Sequence, residues 1–175
     1  LMCVAMAGGE VRVVNLVPEH LRSPILKLIE AGAEIEEDGS SVIIRAQGRR
    51  RACDVETAPY PGFPTDLQQP FVALMSMAEG TSVVRETIFD RFRYVDELRR
   101  MGADVRVERD TAIIKGVKRL TGAPVEATDL RAGAALVVAA LGASGETQIS
   151  GLDIIDRGYE GLTEKLHGLG AAAAR

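Results

Sequence analysis

One carboxylate in this chain is held more firmly than its neighbours. Asp66 follows Ala58-Pro59-Tyr60-Pro61-Gly62-Phe63-Pro64-Thr65, a stretch in which three prolines restrict the backbone and bias the residues before them toward extended conformations. Gly62 permits a turn there that other residues would resist. The stretch runs into an apolar helix through Phe71, Leu74 and Met77, so Asp66 is delivered to the mouth of that helix. Two uses are open for it. A side-chain oxygen of Thr65 or Asp66 can cap the helix by accepting from its orphan backbone N–H groups. Alternatively the stiff loop serves to hold the carboxylate itself in place at the helix mouth. Asp129 and Arg131 stand at the start of a second apolar helix in the same way, and read first as capping and cleft-wall residues.

The elements that must hold these residues recur. Gly-Ala pairs at Gly32-Ala33, Gly102-Ala103 and Gly170-Ala171 mark a repeat of roughly 70 residues. Upstream of each pair lie the same parts in the same order: a small-residue apolar helix (1–7, 70–78, 132–141), a strand beginning near Gly9, Gly80 or Gly145, a turn, and an amphipathic helix. Helices apolar on every side must be enclosed. Val105-Arg106-Val107 and Ala112-Ile113-Ile114 alternate as strands that would form outer sheets. The expectation is a single α/β domain over 1–175, with repeats of about 1–53, 54–125 and 126–175. Only the second has its whole length, and with no N-cap residue before Leu1 the chain reads as a fragment.

Composition narrows the function classes. At 175 residues, 46% hydrophobic and 26% charged, the chain has ordinary globular make-up for one well-filled core, aliphatic because there is no Trp. A formal net charge of −4 gives no footing for nucleic acid. Arg49-Arg50-Arg51, the one dense basic run, reads as a solvated strand entry. The apolar run over 133–143 is too short to span a bilayer, and no basic leader precedes it, so no membrane partner is expected. Cys3, in a helical stretch, and Cys53, in an expected strand, lack metal-ligand spacing and read as buried thiols of a reducing cytoplasm. Neither metal nor cofactor is expected.

The string Pro61-Gly62-Phe63-Pro64-Thr65-Asp66-Leu67-Gln68 closely resembles a signature of the UDP-N-acetylglucosamine enolpyruvyl transferase family. Arg99-Arg100-Met101-Gly102-Ala103-Asp104, Ala127-Thr128-Asp129-Leu130-Arg131-Ala132-Gly133 and Ile155-Asp156-Arg157-Gly158-Tyr159-Glu160 look like its later blocks, in order and at similar spacing. The likeness covers nearly the whole chain, more loosely before about Asp54. It implies the later of the family's two domains, an inside-out α/β barrel of three βαβαββ-like repeats, here with the first and last incomplete. It also implies the reaction that moves the enolpyruvyl group of phosphoenolpyruvate to the 3-hydroxyl of UDP-N-acetylglucosamine with release of phosphate, the first committed step of peptidoglycan synthesis.

On that resemblance Asp66 is the base at the sugar hydroxyl, and Ile88 and Phe89 contact the sugar nucleotide, although as a strand end they read equally well as core. Phosphoenolpyruvate carries a phosphate and a carboxylate, which planar guanidinium forks bind in pairs. Arg91 and Arg157 are the candidates, each at the turn before the amphipathic helix of its repeat; the competing reading is a surface Arg beside Asp90 or Asp156. The chain departs from the family where only Asp90 separates Phe89 from Arg91, so Arg93 is a second claimant, and Ile154 stands where a histidine is common. Asp129 and Arg131 are supporting candidates. The family's reactive loop cysteine and its first-domain Lys and Arg have no counterpart here, so this chain alone is expected to lack half of its active site. Two alternatives remain: a shikimate 3-phosphate enolpyruvyl transferase, which shares the barrel, and a non-catalytic nucleotide-sugar-binding module.

Overall fold

Three apolar helices pack against one another at the centre. In the computed structural model, which describes residues 1–89 and 92–174, the chain runs α1 (Met2–Ala7), β1 (Gly9–Val14), α2 (Arg22–Glu30), β2 (Glu34–Asp38), β3 (Ser41–Ala46), β4 (Val55–Glu56), α3 (Gln68–Met75), β5 (Thr81–Arg85), α4 (Val95–Arg100), β6 (Asp104–Glu108) and β7 (Thr111–Lys115). It continues through β8 (Leu120–Thr121), β9 (Pro124–Glu126), α5 (Leu130–Gly142), β10 (Ala143–Ser144), β11 (Gln148–Ser150), α6 (Leu152–Asp156) and α7 (Leu162–Gly168). Short 3-10 turns precede α2 and α3, at Pro18–Leu21 and Thr65–Leu67. All eight residues of α3 are buried, the apolar run 70–75 as its composition requires and Gln68 and Gln69 along with it. It packs on α5 and α1, and α5 packs on α1. One stripe of α5, through Arg131, Ala134 and Val137, stays only half-buried.

The sheets lie around these helices. β1, β3 and β2 form one antiparallel sheet. In the second, β4 runs parallel to β5, which continues antiparallel into β7 and β6. Parallel pairing recurs between β8 and β10 and between β9 and β11. Parallel neighbours need a crossover; α3 supplies it between β4 and β5, and α5 between β9 and β11. These sheets are separate in their hydrogen bonding, so the structure shows a mixed α/β fold with helices inside and sheets outside.

The three Gly-Ala pairs close their helices identically. Gly32, Gly102 and Gly170 have φ of 93°, 90° and 92°, where glycine carries no side-chain penalty. The alanine N–H that follows reaches five residues back in each case: Ala33 to Leu28 O at 2.9 Å, Ala103 to Leu98 O at 3.0 Å, Ala171 to Leu166 O at 3.0 Å. With the glycine N–H bonding Ile29, Arg99 or His167, each is a Schellman cap.

The basic run is solvated only in part. Arg50 is buried, its Nη1 donating to Gly32 O at 2.7 Å and its Nη2 to Gly48 O at 2.9 Å and to Gln47 O. Arg49 donates to Met77 O, Ala78 O and Val117 O. Both guanidinium groups therefore bind carbonyls left unpaired where chain segments end, and of the three only Arg50 is buried. Cys53 lies before β4 rather than within a strand. It is buried, its Sγ donating to Lys27 O at 3.7 Å, and burial pushes its thiol up to about 11. Burial likewise raises the Cys3 thiol. Among the described residues, no helix is long and apolar enough to cross a membrane, and no cluster of His, Cys, Asp or Glu is placed to hold a metal ion.

Candidate active site

The proline-rich stretch folds back on itself. Gly62 N–H donates to Pro59 O at 2.8 Å and Ala58 N–H to Phe63 O at 2.9 Å, and the Tyr60–Pro61 peptide is cis. Gly62 is required by close approach: an added Cβ would lie 2.5 Å from the Ala58 Cβ and 3.0 Å from Pro59 O. Phe63 anchors the turn, buried edge-on against Phe71 of α3 with ring centroids 5.3 Å apart. Pro64 is the N-cap of the turn that follows, so Thr65 and Asp66 lie inside it, and no side-chain cap bond closes that turn or α3. The capping reading gives way to long-range partners. Thr65 Oγ1 donates to Glu86 Oε2 at 2.8 Å, and the Asp66 carboxylate accepts from Arg131 Nε.

Glu86 was not distinguished by its sequence context, yet it organises this region. It is only 3% exposed. Its Oε1 accepts from Thr57 Oγ1 at 2.7 Å, Ile88 N at 2.8 Å and Phe89 N at 3.2 Å. Thr57, wholly buried, also accepts from Thr87 N and Thr87 Oγ1 through its hydroxyl and carbonyl oxygens. Ile88 and Phe89 are not core: they are 38% and 52% exposed and line an open cavity of about 520 Å³ with Thr87, Arg85, Arg109 and Asp110. A signal for Glu86 existed in the period of β5. Ser82 and Val84 point inward, and Glu86 is the next position on that face.

Asp129 is the N-cap of α5, its Oδ1 accepting from Arg131 N at 2.9 Å and Ala132 N at 3.0 Å. This fixes the first turn of the helix from which Arg131 reaches Asp66. That hydrogen bond is the largest cause raising the Arg131 guanidinium further above its ordinary value. Tyr159 is half-buried nearby; its phenol is pushed up by burial, with Arg131 acting in the opposite direction. Tyr159 and Leu67 border an apolar groove of about 320 Å³ that also takes in Cys3, Pro70, Val138 and Leu162.

Arg157 sits at the C-cap of α6 and is largely exposed, with Asp153 at 3.9 Å. Its partner is thus Asp153 rather than the expected Asp156, which has interactions of its own. The adjoining Gly158 is pressed on α5: a Cβ there would meet Leu130 Cδ2 at 2.6 Å, so Arg157 stands close to the helix start that carries Arg131. Arg91 and Asp90 lie outside the described residues. Arg93 is exposed. The structure therefore brings Asp66, Arg131 and Asp129 together directly, ties Ile88 and Phe89 to the same loop through Glu86, and leaves Arg157 one neighbour away.

Comparison with known proteins gives this arrangement its setting. Residues 1–166 match the family model of EPSP synthase (3-phosphoshikimate 1-carboxyvinyltransferase). A UDP-N-acetylglucosamine 1-carboxyvinyltransferase 2 from Symbiobacterium thermophilum is 59% identical over 176 residues, covering 100% of this chain and 41% of the relative. The UDP-N-acetylglucosamine 1-carboxyvinyltransferase of Clostridium botulinum is 50% identical, covering 100% of this chain and 42% of its own length. The chain thus spans about two-fifths of the curated relatives it matches. The crystal structure of the enolpyruvyl transferase NikO from Streptomyces tendae superposes with a TM-score of 0.87 at 25% identity, over 99% of this chain and 42% of that one. EPSP synthase from Acinetobacter baumannii shares the fold at a TM-score of 0.66 and 19% identity, over 85% of this chain and 36% of that one. Matching one family model over most of its length, and folded like an enolpyruvyl transferase, the chain belongs to the EPSP synthase (3-phosphoshikimate 1-carboxyvinyltransferase) family.

Proposed function

We infer that this chain is the later-domain portion of a UDP-N-acetylglucosamine enolpyruvyl transferase, which moves the enolpyruvyl group of phosphoenolpyruvate to the sugar 3-hydroxyl and releases phosphate. The observation that carries this reading is Asp66, held by a folded proline loop, about 60% exposed at its side chain and paired with Arg131 at the start of α5. An exposed carboxylate fixed from behind can meet a hydroxyl from solvent, and the exposed Ile88 and Phe89 offer an apolar surface beside the same loop. The names of relatives 50–59% identical over the chain point to the same acceptor.

In this reading Asp66 accepts the hydroxyl proton, Arg131 and Asp129 keep Asp66 and the α5 terminus in place, and Arg91 and Arg157 bind the anionic groups of phosphoenolpyruvate. The remainder of the transferase supplies the other half of the cleft, with its cysteine, Lys and Arg. The chain divides into units of about 1–53, 54–125 and 126–175, and the setting is the cytoplasm, where both free thiols stay reduced.

A calorimetric titration of this chain with UDP-N-acetylglucosamine, with Asp66→Asn as control, tests the sugar half-site. Saturable binding that weakens in the control is the expected result, and absence of binding overturns the placing of that half-site on this chain. In the whole transferase, Arg157→Ala should raise the KM for phosphoenolpyruvate about tenfold or more, with a much smaller change for the sugar nucleotide. Equal changes would remove Arg157 from the phosphoenolpyruvate site. The matching family model's description favours one second reading, with shikimate 3-phosphate as acceptor. Binding of that compound in place of the sugar nucleotide would establish it.

A further inference from the structure

We propose that Glu86 is a positioning residue that locks the Asp66 loop and the Ile88–Phe89 surface into one rigid wall, so that both meet the same ligand in register. The proposal rests on the sugar-nucleotide reading for its ligand, but its mechanical part does not. An ionised carboxylate only accepts, and Glu86 uses its two oxygens for different segments. Oε2 takes Thr65 Oγ1 at 2.8 Å, the hydroxyl adjoining Asp66. Oε1 takes the backbone N–H groups of Ile88 and Phe89 at 2.8 and 3.2 Å, together with Thr57 Oγ1 at 2.7 Å.

This arrangement is more than fold maintenance requires. Burial of a carboxylate is unfavourable unless charge-assisted bonds offset it, and apolar contacts alone could have held a strand end. Here two N–H groups turn inward to the carboxylate while the Ile88 and Phe89 side chains stay 38% and 52% exposed. Surface-facing apolar side chains gain nothing for stability from being held so firmly; a ligand surface does. Thr57, at the end of β4, ties the same carboxylate to the start of the proline loop, whose far end carries Asp66.

The test compares this chain with its Glu86→Gln and Thr65→Val variants by residue-resolved amide hydrogen exchange, melting temperature and calorimetric titration with UDP-N-acetylglucosamine. Glu86→Gln keeps the side chain's shape but weakens its acceptance. Exchange at Ile88 and Phe89 should rise at least tenfold and sugar-nucleotide affinity should fall about tenfold, with the melting temperature shifted by only a few degrees. Thr65→Val cuts the other arm, so exchange at Leu67 should rise while Ile88 and Phe89 stay within twofold. Unchanged exchange at Ile88 and Phe89 in Glu86→Gln overturns the proposal. So does acceleration spread over the whole chain with a collapsed melting temperature, which would make Glu86 a stability residue. Should the parent chain bind no sugar nucleotide, the functional reading fails separately, because local exchange still decides whether Glu86 locks the wall.

Discussion

Asp66→Asn in the whole transferase should reduce turnover by about 10³-fold, within the range that general-base catalysis supplies, while leaving the protein folded. The amide keeps the shape of the carboxylate and can still accept a hydrogen bond from Arg131, but it cannot take a proton from a hydroxyl. Stability should scarcely change. Asp66 and Arg131 are 60% and 31% exposed at their side chains, and an ion pair that is open to water contributes less than about 1 kcal/mol. A turnover loss of this size in a protein that melts normally therefore reports chemistry. Steady-state kinetics with both substrates saturating, beside a thermal melt, makes the measurement. Near-normal turnover would reduce Asp66 to a structural partner of Arg131.

Much of this was legible in the sequence because it is local. Three prolines restrict a loop wherever they occur, and Asp129 three residues before Ala132 is a helix start that capping chemistry explains. The Gly-Ala pairs could be read because only glycine comfortably takes the left-handed φ of a Schellman cap, and three copies at similar spacing make the pattern visible. What escaped depends on partners distant in the chain. Asp66 and Arg131 are 65 residues apart, and the donors to Glu86 come from positions 21 and 29 residues away as well as from its own turn. Arg49 and Arg50 bind backbone carbonyls, which carry no side-chain identity and so leave no trace in sequence. By pattern alone Ile88 and Phe89 read equally well as a strand end entering the core or as surface for a ligand, and the structure decides their exposure because β5 ends at Arg85 and the inward face passes to Glu86.

A glycine that no pattern marked carries the second large effect. Gly116→Ala should destabilise the chain by about 3 kcal/mol, at the upper end of overpacking costs, and lower the melting temperature by roughly 10 °C for a protein of this size. The added Cβ would lie 1.8 Å from Ala78 O and 2.8 Å from Ala78 C, a collision with backbone. Ala78 cannot move aside cheaply. It is fully buried, and its carbonyl already accepts from Arg49 Nη2 at 2.9 Å. Gly116 is equally fixed, its N–H bonded to Gly80 O at 3.0 Å and the next N–H, of Val117, bonded to Ser76 O at 2.8 Å. Gly39→Ala is the informative control: it has φ of 57° but nothing within 4 Å of its Cβ, so the expected cost is conformational and only about 1–2 kcal/mol. Thermal melts of the two variants separate the causes, and a Gly116→Ala protein melting no lower than Gly39→Ala would show that the segment between β7 and β8 can yield. If it cannot, the C-terminal end of α3 is pinned by Gly116 and Arg49 while its N-terminal end carries the Asp66 loop, so the candidate base stands on a helix fixed at both ends.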